Sequence, residues 1–412
     1  MTPVSDQKVG ARFVEELLAL PTVEQRSAFL HAAGLLNAEG LERLLDFTER
    51  LVHSDPGKAH RLAALCADLA DRAAAPSAAP RASYIRTQTY LANGELGAAL
   101  SMVEAAHAGY VACGRRLEAL RTHVGRMSVL LELGLYREAL DAGQIVLDAL
   151  NGKVELGITP TQQQADLLTA LVQQNCGGCY EYMGLYEEAL VAYAAAEERY
   201  RVLGMTEHLG EILDNRGAIL LLLGRGKEAL AAHEAAAAIF EAAGLTLSHA
   251  KALSNIGEAN RQLADYRRSL EAFERARRLY DSLGALADEG LLLIDTAGAY
   301  LELNLYSEAL AAYQKAHALL RDTGMVHDRA RALWGIGSTL IARSEFEEAE
   351  STLIEAAELF AKAENAPLLS GVMLDQSALQ EARGDHGSAV ANARRALDLV
   401  SGRDRSVQRV YA

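Results

Sequence analysis

Residues 175–190 read NCGGCYEYMGLYEEAL, and two different proteins can be read from them. Cys176-Gly177-Gly178-Cys179 has the spacing of a redox pair or of half a zinc site. The second half, GLYEEAL, is one copy of a phrase that recurs along the chain: GLYREAL at 134, GRGKEAL at 224, ADYRRSL at 264, NLYSEAL at 304, SEFEEAE at 344 and GDHGSAV at 384, with a weaker GELGAAL at 94. Taking the third residue of each phrase as a ruler gives 96, 136, 186, 226, 266, 306, 346 and 386, with every step 40 except one of 50. A fixed period of this length marks an array of repeats.

Other columns keep the same register. Nine residues before the ruler stand Gly177, Gly217, Gly257, Ala297, Gly337 and Ser377, and ten after it Ala196, Ala236, Ala276, Ala316, Ala356 and Ala396. Small residues at these points let helices approach closely. Three before the ruler lies a mostly apolar column, Met183, Leu223, Leu263 and Leu303. Each unit is therefore two amphipathic helices: helix A upstream of the ruler, and helix B starting near the phrase and stopping near Gly204, Gly244, Gly284 or Gly324.

These columns resemble the tetratricopeptide repeat. The small residue of helix A, an aromatic three positions later (Tyr180, Tyr300), the turn from Gly184 to Tyr186, Ala189, an aromatic four further on (Tyr193, Phe273, Tyr313) and Ala196 reproduce its pattern in order. The period is 40 rather than about 34, and the proline that often closes the motif is missing; longer helices account for both. The resemblance implies an all-α, right-handed superhelical solenoid of antiparallel helix pairs, with a concave groove that binds a partner.

Composition agrees. Only 7 of 412 residues are proline, leaving residues 81–159 and 161–366 free of that helix breaker. A net charge of −15 opposes a nucleic-acid partner and an anionic membrane surface. The N-terminus has no signal-peptide core and the longest apolar runs, such as AILLLL at 218–223, are far short of a membrane span, so a cytoplasmic location is expected. Four scattered cysteines do not make a disulfide framework.

Residues 1–75 do not keep the period but carry helical patterns, and they read as an N-terminal cap over the first of eight repeats in 76–405. NGKVELGITP at 151–160 is the insertion behind the step of 50. Extending the period makes residues 406–412 the start of a further helix A, so the native protein is expected to continue.

On a helical wheel, the core columns of helix A lie 13, 10, 9 and 6 before the ruler, and the columns at 15, 11, 8 and 4 face the other way, which in the resembled family lines the groove. The eleven-before column reads Asn175, Asn215, Asn255, Asp295, Gly335 and Asp375. Such a ladder suits the unpaired backbone groups of an extended peptide; it equally suits hydrogen bonds between successive helices that keep the array in register. Trp334, on the flank of this side, suits a binding hot spot or inter-repeat packing.

No chemistry competes with binding. The 11 histidines form no His-x-x-x-His pair, there is no nucleophile elbow or phosphate-binding loop, and GIGS at 335–338 falls inside a helix A. The arginines of 267–280 are interleaved with Glu271 and Glu274. No metal, cofactor or catalytic residue is expected. Cys176 occupies the column of Ile256 and Ile336, and Cys179 that of Ile219, Ala259 and Ala299, so packing is their expected role.

The function expected is a non-catalytic scaffold for a protein or peptide partner. Two alternatives stand beside it. The phrase FVEELLALPTVEQRSAFLHAAGLL ahead of forty-residue repeats resembles bacterial proteins that end in a caspase-like CHAT peptidase, any such catalysis lying beyond residue 412. Similar repeats also serve as sensors of signalling ATPases and transcription regulators.

Overall fold

The computed structural model describes residues 9–410 except 53, 154–156, 158 and 364. The chain divides into two compact units, residues 1–212 and 213–412. The described residues of both are helical, without strands.

The first unit opens with α1 (Ala11–Ala19), α2 (Val23–Ala32), α3 (Ala38–Leu51) and α4 (Pro56–Leu69). Their starts follow from the local sequence: Thr22, Asn37 and Asp55 each accept a hydrogen bond from a first-turn N–H, and Pro56 sits where its missing N–H costs nothing. Leu17, Leu30, Leu41, Leu44, Leu45 and Leu62 are fully buried, in one cluster with Ala78, Ala82 and Ile85 of the next helix, α5 (Ala78–Ala92). Each such leucine contributes roughly 1.5–3 kcal/mol of burial. Arg81 of α5 ties the two parts further, bonding Glu42, Asp46 at 2.6 Å and Glu49 at 2.9 Å on α3.

The pairs then follow: α5 with α6 (Leu96–Ala112), α7 (Arg116–Glu132) with α8 (Tyr136–Leu150), and α9 (Gln162–Tyr182) with α10 (Tyr186–Leu203). Helix α11 (Thr206–Leu222) contains the division between the units. In the second unit come α12 (Gly226–Ala242), α13 (Thr246–Gln262) with α14 (Tyr266–Leu283), α15 (Leu286–Glu302) with α16 (Tyr306–Leu320), α17 (Val326–Ala342) with α18 (Phe346–Lys362), and α19 (Ala366–Ala382) with α20 (His386–Val410). Every ruler residue opens a helix B. Connections this short force consecutive helices to lie antiparallel.

The turn from A to B has one recurrent construction. Gly184, at φ 74°, lets its own N–H reach the Glu181 carbonyl at 2.9 Å and the Leu185 N–H reach that of Tyr180 at 2.8 Å. This is a left-handed Schellman stop, which favours glycine. Gly94, Gly134, Gly224 and Gly384 repeat it, but Ala264, Asn304 and Ser344 hold the same position at φ 58°, 60° and 62°.

Close packing explains the small column. A β-carbon on Gly177, Gly217, Gly257 or Gly337 would lie 2.3–2.5 Å from Tyr193, His233, Phe273 or Leu353, the residue seven after the ruler on the partner helix B. The two cysteines sit mid-helix in α9, buried and unpaired. Burial pushes the Cys176 thiol up to about 12 and the Cys179 thiol to about 11, the opposite of an activated pair.

Two details depart from the sequence reading. The described residues of the 151–160 insertion lie in no helix, but α9 starts 24 residues before its ruler, against 20 for α7 and α11, so an extra helical turn, opened by a Thr161–Gln164 capping box, follows the insertion. At the other end, α20 runs unbroken through 406–410, so these residues do not open a separate helix, and 411–412 lie outside the described residues. Residues 1–8 of the expected cap likewise lie outside the description.

Candidate functional site

The A helices of the first unit border a groove of about 480 Å³. Its walls come from Tyr84, Ile85 and Gln88 of α5, Arg121, Val124, Gly125 and Ser128 of α7, and Leu171, Gln174 and Asn175 of α9. Glu49, Val52, His208 and Glu211 close it. These positions fall 15, 12, 11 and 8 residues before their rulers. The column at four before does not take part, because it lies at the turn end of helix A: Tyr182 there is 65% exposed and stacks on Tyr136 of α8 at 5.7 Å.

The groove has an apolar floor, Ile85, Val124 and Leu171, beneath polar side chains. Tyr200 donates to Gln174 Oε1 at 2.6 Å, leaving the Gln174 amide N–H groups free. Gln88 makes no side-chain hydrogen bond among the described residues, so both its donor and acceptor are open. The Arg121 guanidinium lies 5.7 Å from the centre of the Tyr84 ring. Burial raises the Tyr84 hydroxyl pKa while nearby Arg121 pulls it back. A second hollow of about 240 Å³ adjoins, sharing Glu49, Tyr84 and Arg121 and adding Ser77, Arg81, Tyr110, Arg115 and Glu118.

Most of the ladder residues engage neighbours within the chain. Asn175 donates to the Leu171 carbonyl at 2.9 Å and accepts from Ser128 of α7 at 3.1 Å. Asn255 donates to both oxygens of Asp214 on α11, at 3.1 and 3.0 Å. Asp214 also accepts from buried His233 Nδ1 at 2.6 Å; since a carboxylate only accepts, this nitrogen carries the proton. Asp295 accepts from Arg331 of α17 at 3.4 Å. Burial raises the Asp295 carboxyl to about 6, against the pull of Arg331.

Asp375 accepts from Trp334 Nε1 at 2.8 Å and from Ser338, both on α17. Trp334 is half-buried, edge-on to Phe360 and close enough to α19 that a β-carbon on Gly371 would meet its ring at 2.5 Å. Asn215 is half-buried with no side-chain hydrogen bond among the described residues. Four ladder residues and the tryptophan thus join successive A helices.

Of the sequence candidates only Asn175 lines this groove; Asn215, Asn255, Asp295, Asp375 and Trp334 belong to the second unit. Gln88, Arg121 and Gln174 were missed. Carrying the ladder column back into the first two repeats, where it reads Ile85 and Gly125, would have pointed to them. Among the described residues no group of three potential metal ligands occurs, and no helix is long and apolar enough to cross a membrane.

Residues 208–282 and 328–401 match the family model described as tetratricopeptide repeat. Those two stretches are tetratricopeptide repeats. No curated protein matches it in sequence. Among solved structures it is similar to the apo form of the quorum sensor NprR from B. thuringiensis, at 14% identity and TM-score 0.61, covering 88% of this chain and 99% of that one. A Rap protein complexed with Competence and Sporulation Factor matches at 15% identity and TM-score 0.55, over 85% and 96% of the two chains. The apo form of RapI matches at 15% and 0.54, over 68% and 97%. At these identities the likeness is one of fold.

Proposed function

We propose that this chain is a non-catalytic interaction module that takes an extended peptide segment of its partner against the inner faces of its A helices, with the first-unit groove as the main seat. The observation that carries the reading is the groove itself: an apolar floor of Ile85, Val124 and Leu171 under the unengaged amides of Gln88 and Gln174. Apolar pockets fix side chains, and free amides suit the backbone groups of an extended chain. The Rap protein of similar fold was solved in complex with Competence and Sporulation Factor, which supports reading this fold as a binding module.

In this reading the organisation is a cap in residues 1–75 and a repeat array in 76–405. The cap shields the apolar side of α5, which a terminal repeat otherwise exposes to water. Asn175, Asn255, Asp295 and Asp375 are assigned first to register, since their bonds run between helices A; Asn215 alone among the ladder keeps its amide open. The CHAT-peptidase and signalling-sensor alternatives draw no support from any contact among the described residues.

The test is equilibrium binding of the full chain to a synthetic library of N-acetylated octapeptides on beads. Saturable binding that is lost in Leu171→Glu, with an unchanged circular dichroism spectrum, is the expected result. A chain that retains no library member refutes peptide capture. Asn255→Ala, followed by thermal melting, lowers stability and leaves affinity in the bead assay unchanged.

A further inference from the structure

Where helix A turns into helix B in the first unit, Tyr182, the last residue of α9, stacks on Tyr136, the first of α8. The rings are parallel to within 4° with centres 5.7 Å apart. Tyr182 is largely exposed all the same, so one face is covered by the neighbouring ring and the other meets water. Leu133 and Leu135, in the turn that leads into Tyr136, are exposed as well. Leaving two leucines and an aromatic face in water is unfavourable, and an apolar patch with a polar rim marks a contact surface.

The rim here is acidic. Burial raises the Tyr182 hydroxyl pKa, and the Glu132 and Glu181 carboxylates raise it further, with no cation among the described residues acting against them. Glu132, exposed at the end of α7, makes no ion pair among the described residues. Glu181 accepts from the Tyr193 hydroxyl at 3.0 Å and likewise has no cation partner there. Arg137, next along α8 after Tyr136, pairs with neither.

The repeat register identifies the missing group. Glu302 stands four before its ruler, as Glu132 does, and pairs with Arg261, five before the preceding ruler. The residue in that place ahead of Glu132 is Leu91, and in the repeat of Tyr182 it is Glu181, an acid where the later repeat has a base. At other turns of the second unit Glu228 takes Arg225 and Glu345 takes Arg343, each at 2.6 Å. Around Tyr136 and Tyr182 the chain thus supplies rings and carboxylates without the arginine that answers such carboxylates elsewhere.

We infer that this turn edge is a second docking surface, independent of the groove, for a segment of a partner protein that presents an arginine flanked by apolar side chains. The guanidinium lies flat on the open face of Tyr182 with its N–H edge on Glu132, and the apolar neighbours cover Leu133 and Leu135. Arginine suits this seat better than lysine. Its planar, weakly hydrated group stacks on a ring and offers a carboxylate two parallel hydrogen bonds, whereas an ammonium is compact and strongly hydrated. The stack with Tyr136 already holds the Tyr182 ring in place, so little side-chain freedom is lost on docking. The net charge of −15 draws a basic segment toward the chain.

The experiment titrates the full chain into a fluorescein-labelled, C-terminally amidated peptide, Gly-Ser-Leu-Leu-Arg-Leu-Leu-Ser-Gly, and follows anisotropy. The same peptide is made with citrulline, the neutral isostere, and with lysine in place of arginine. The arginine form should bind saturably, the citrulline form about tenfold more weakly and the lysine form in between. Tyr182→Ala and Glu132→Gln, both exposed positions, should lose about the same factor with an unchanged circular dichroism spectrum. Tyr182→Phe keeps the ring and should bind as wild type, and so should Leu171→Glu, which disables the groove alone. Equal affinity for the arginine and citrulline forms, wild-type affinity in Tyr182→Ala and Glu132→Gln, or no saturable binding overturns the inference. So does a wild-type dimer in sedimentation velocity that Tyr182→Ala dissociates, since the occupant is then a second copy of this chain.

Discussion

The left-handed turn between helices A and B offers two substitutions of opposite sign at one repeat position. Ala264 sits at φ 58° and Gly224, forty residues earlier, at φ 70°. A β-carbon in this region costs roughly 1–2 kcal/mol against glycine. Glycine gives back part of that, roughly 0.4–1 kcal/mol, through the greater freedom of its unfolded chain. The net expectation is about 0.5–1 kcal/mol of added stability for Ala264→Gly and a similar loss for Gly224→Ala, from the difference of these two terms. Packing does not obscure the balance. Ala264 is exposed, and a β-carbon on Gly224 meets nothing within 4 Å. Urea titration followed by circular dichroism at 222 nm reads both, and in a domain of this size 1 kcal/mol moves the melting temperature by about 2–4 °C. Hydrogen exchange of the amides in 259–269 should slow in Ala264→Gly, which places the gain at the turn. If Ala264→Gly destabilises the chain, or if both variants shift the same way, the conformational argument is refuted.

Three further expectations follow from side chains already placed. Cys176 and Cys179, buried and with thiols pushed up to about 12 and about 11, should react with a thiol reagent only on unfolding; rapid labelling of both in the folded chain would restore the redox reading. Asp295, whose carboxyl is raised to about 6, binds its proton more tightly folded than unfolded, so its contribution is full below the ordinary carboxylate range and declines as pH rises through about 6. With 35% of its side chain exposed, water softens the slope, and Asp295→Asn should flatten it in urea titrations between pH 4 and 8. Trp334→Phe removes the bond to Asp375 and should cost about 1–2 kcal/mol, whereas Asp375→Asn keeps an acceptor and should cost less; equal losses would argue against that bond.

The period, the helix pairing and the close contacts between helices were legible because each is local or repeated. One turn of helix fixes which residues share a face, and a small residue recurring every forty marks where another helix must come near. The ladder residues share one column of helix A for the same reason. What they touch was not legible, since their partners come from the neighbouring repeat: Asn255 meets Asp214, and Asp375 meets Trp334 and Ser338, each across about forty residues of sequence.

The insertion and the last helix show the limit at their own scale. The extra turn of α9 needed the capping box at Thr161, a feature visible in the sequence but weak beside the periodic signal, and α20 runs on through 406–410 past the point where the period ends most B helices. Glu132 and Tyr182 mark the larger limit. The sequence determined that both stand four before their rulers, at the turn end of a helix A, because the repeat period dictates that. Only the tertiary structure decided that Tyr182 stacks on Tyr136 and that Glu132 has no cation partner among the described residues, because such pairing is settled by which side chains neighbouring helices bring within a few ångströms.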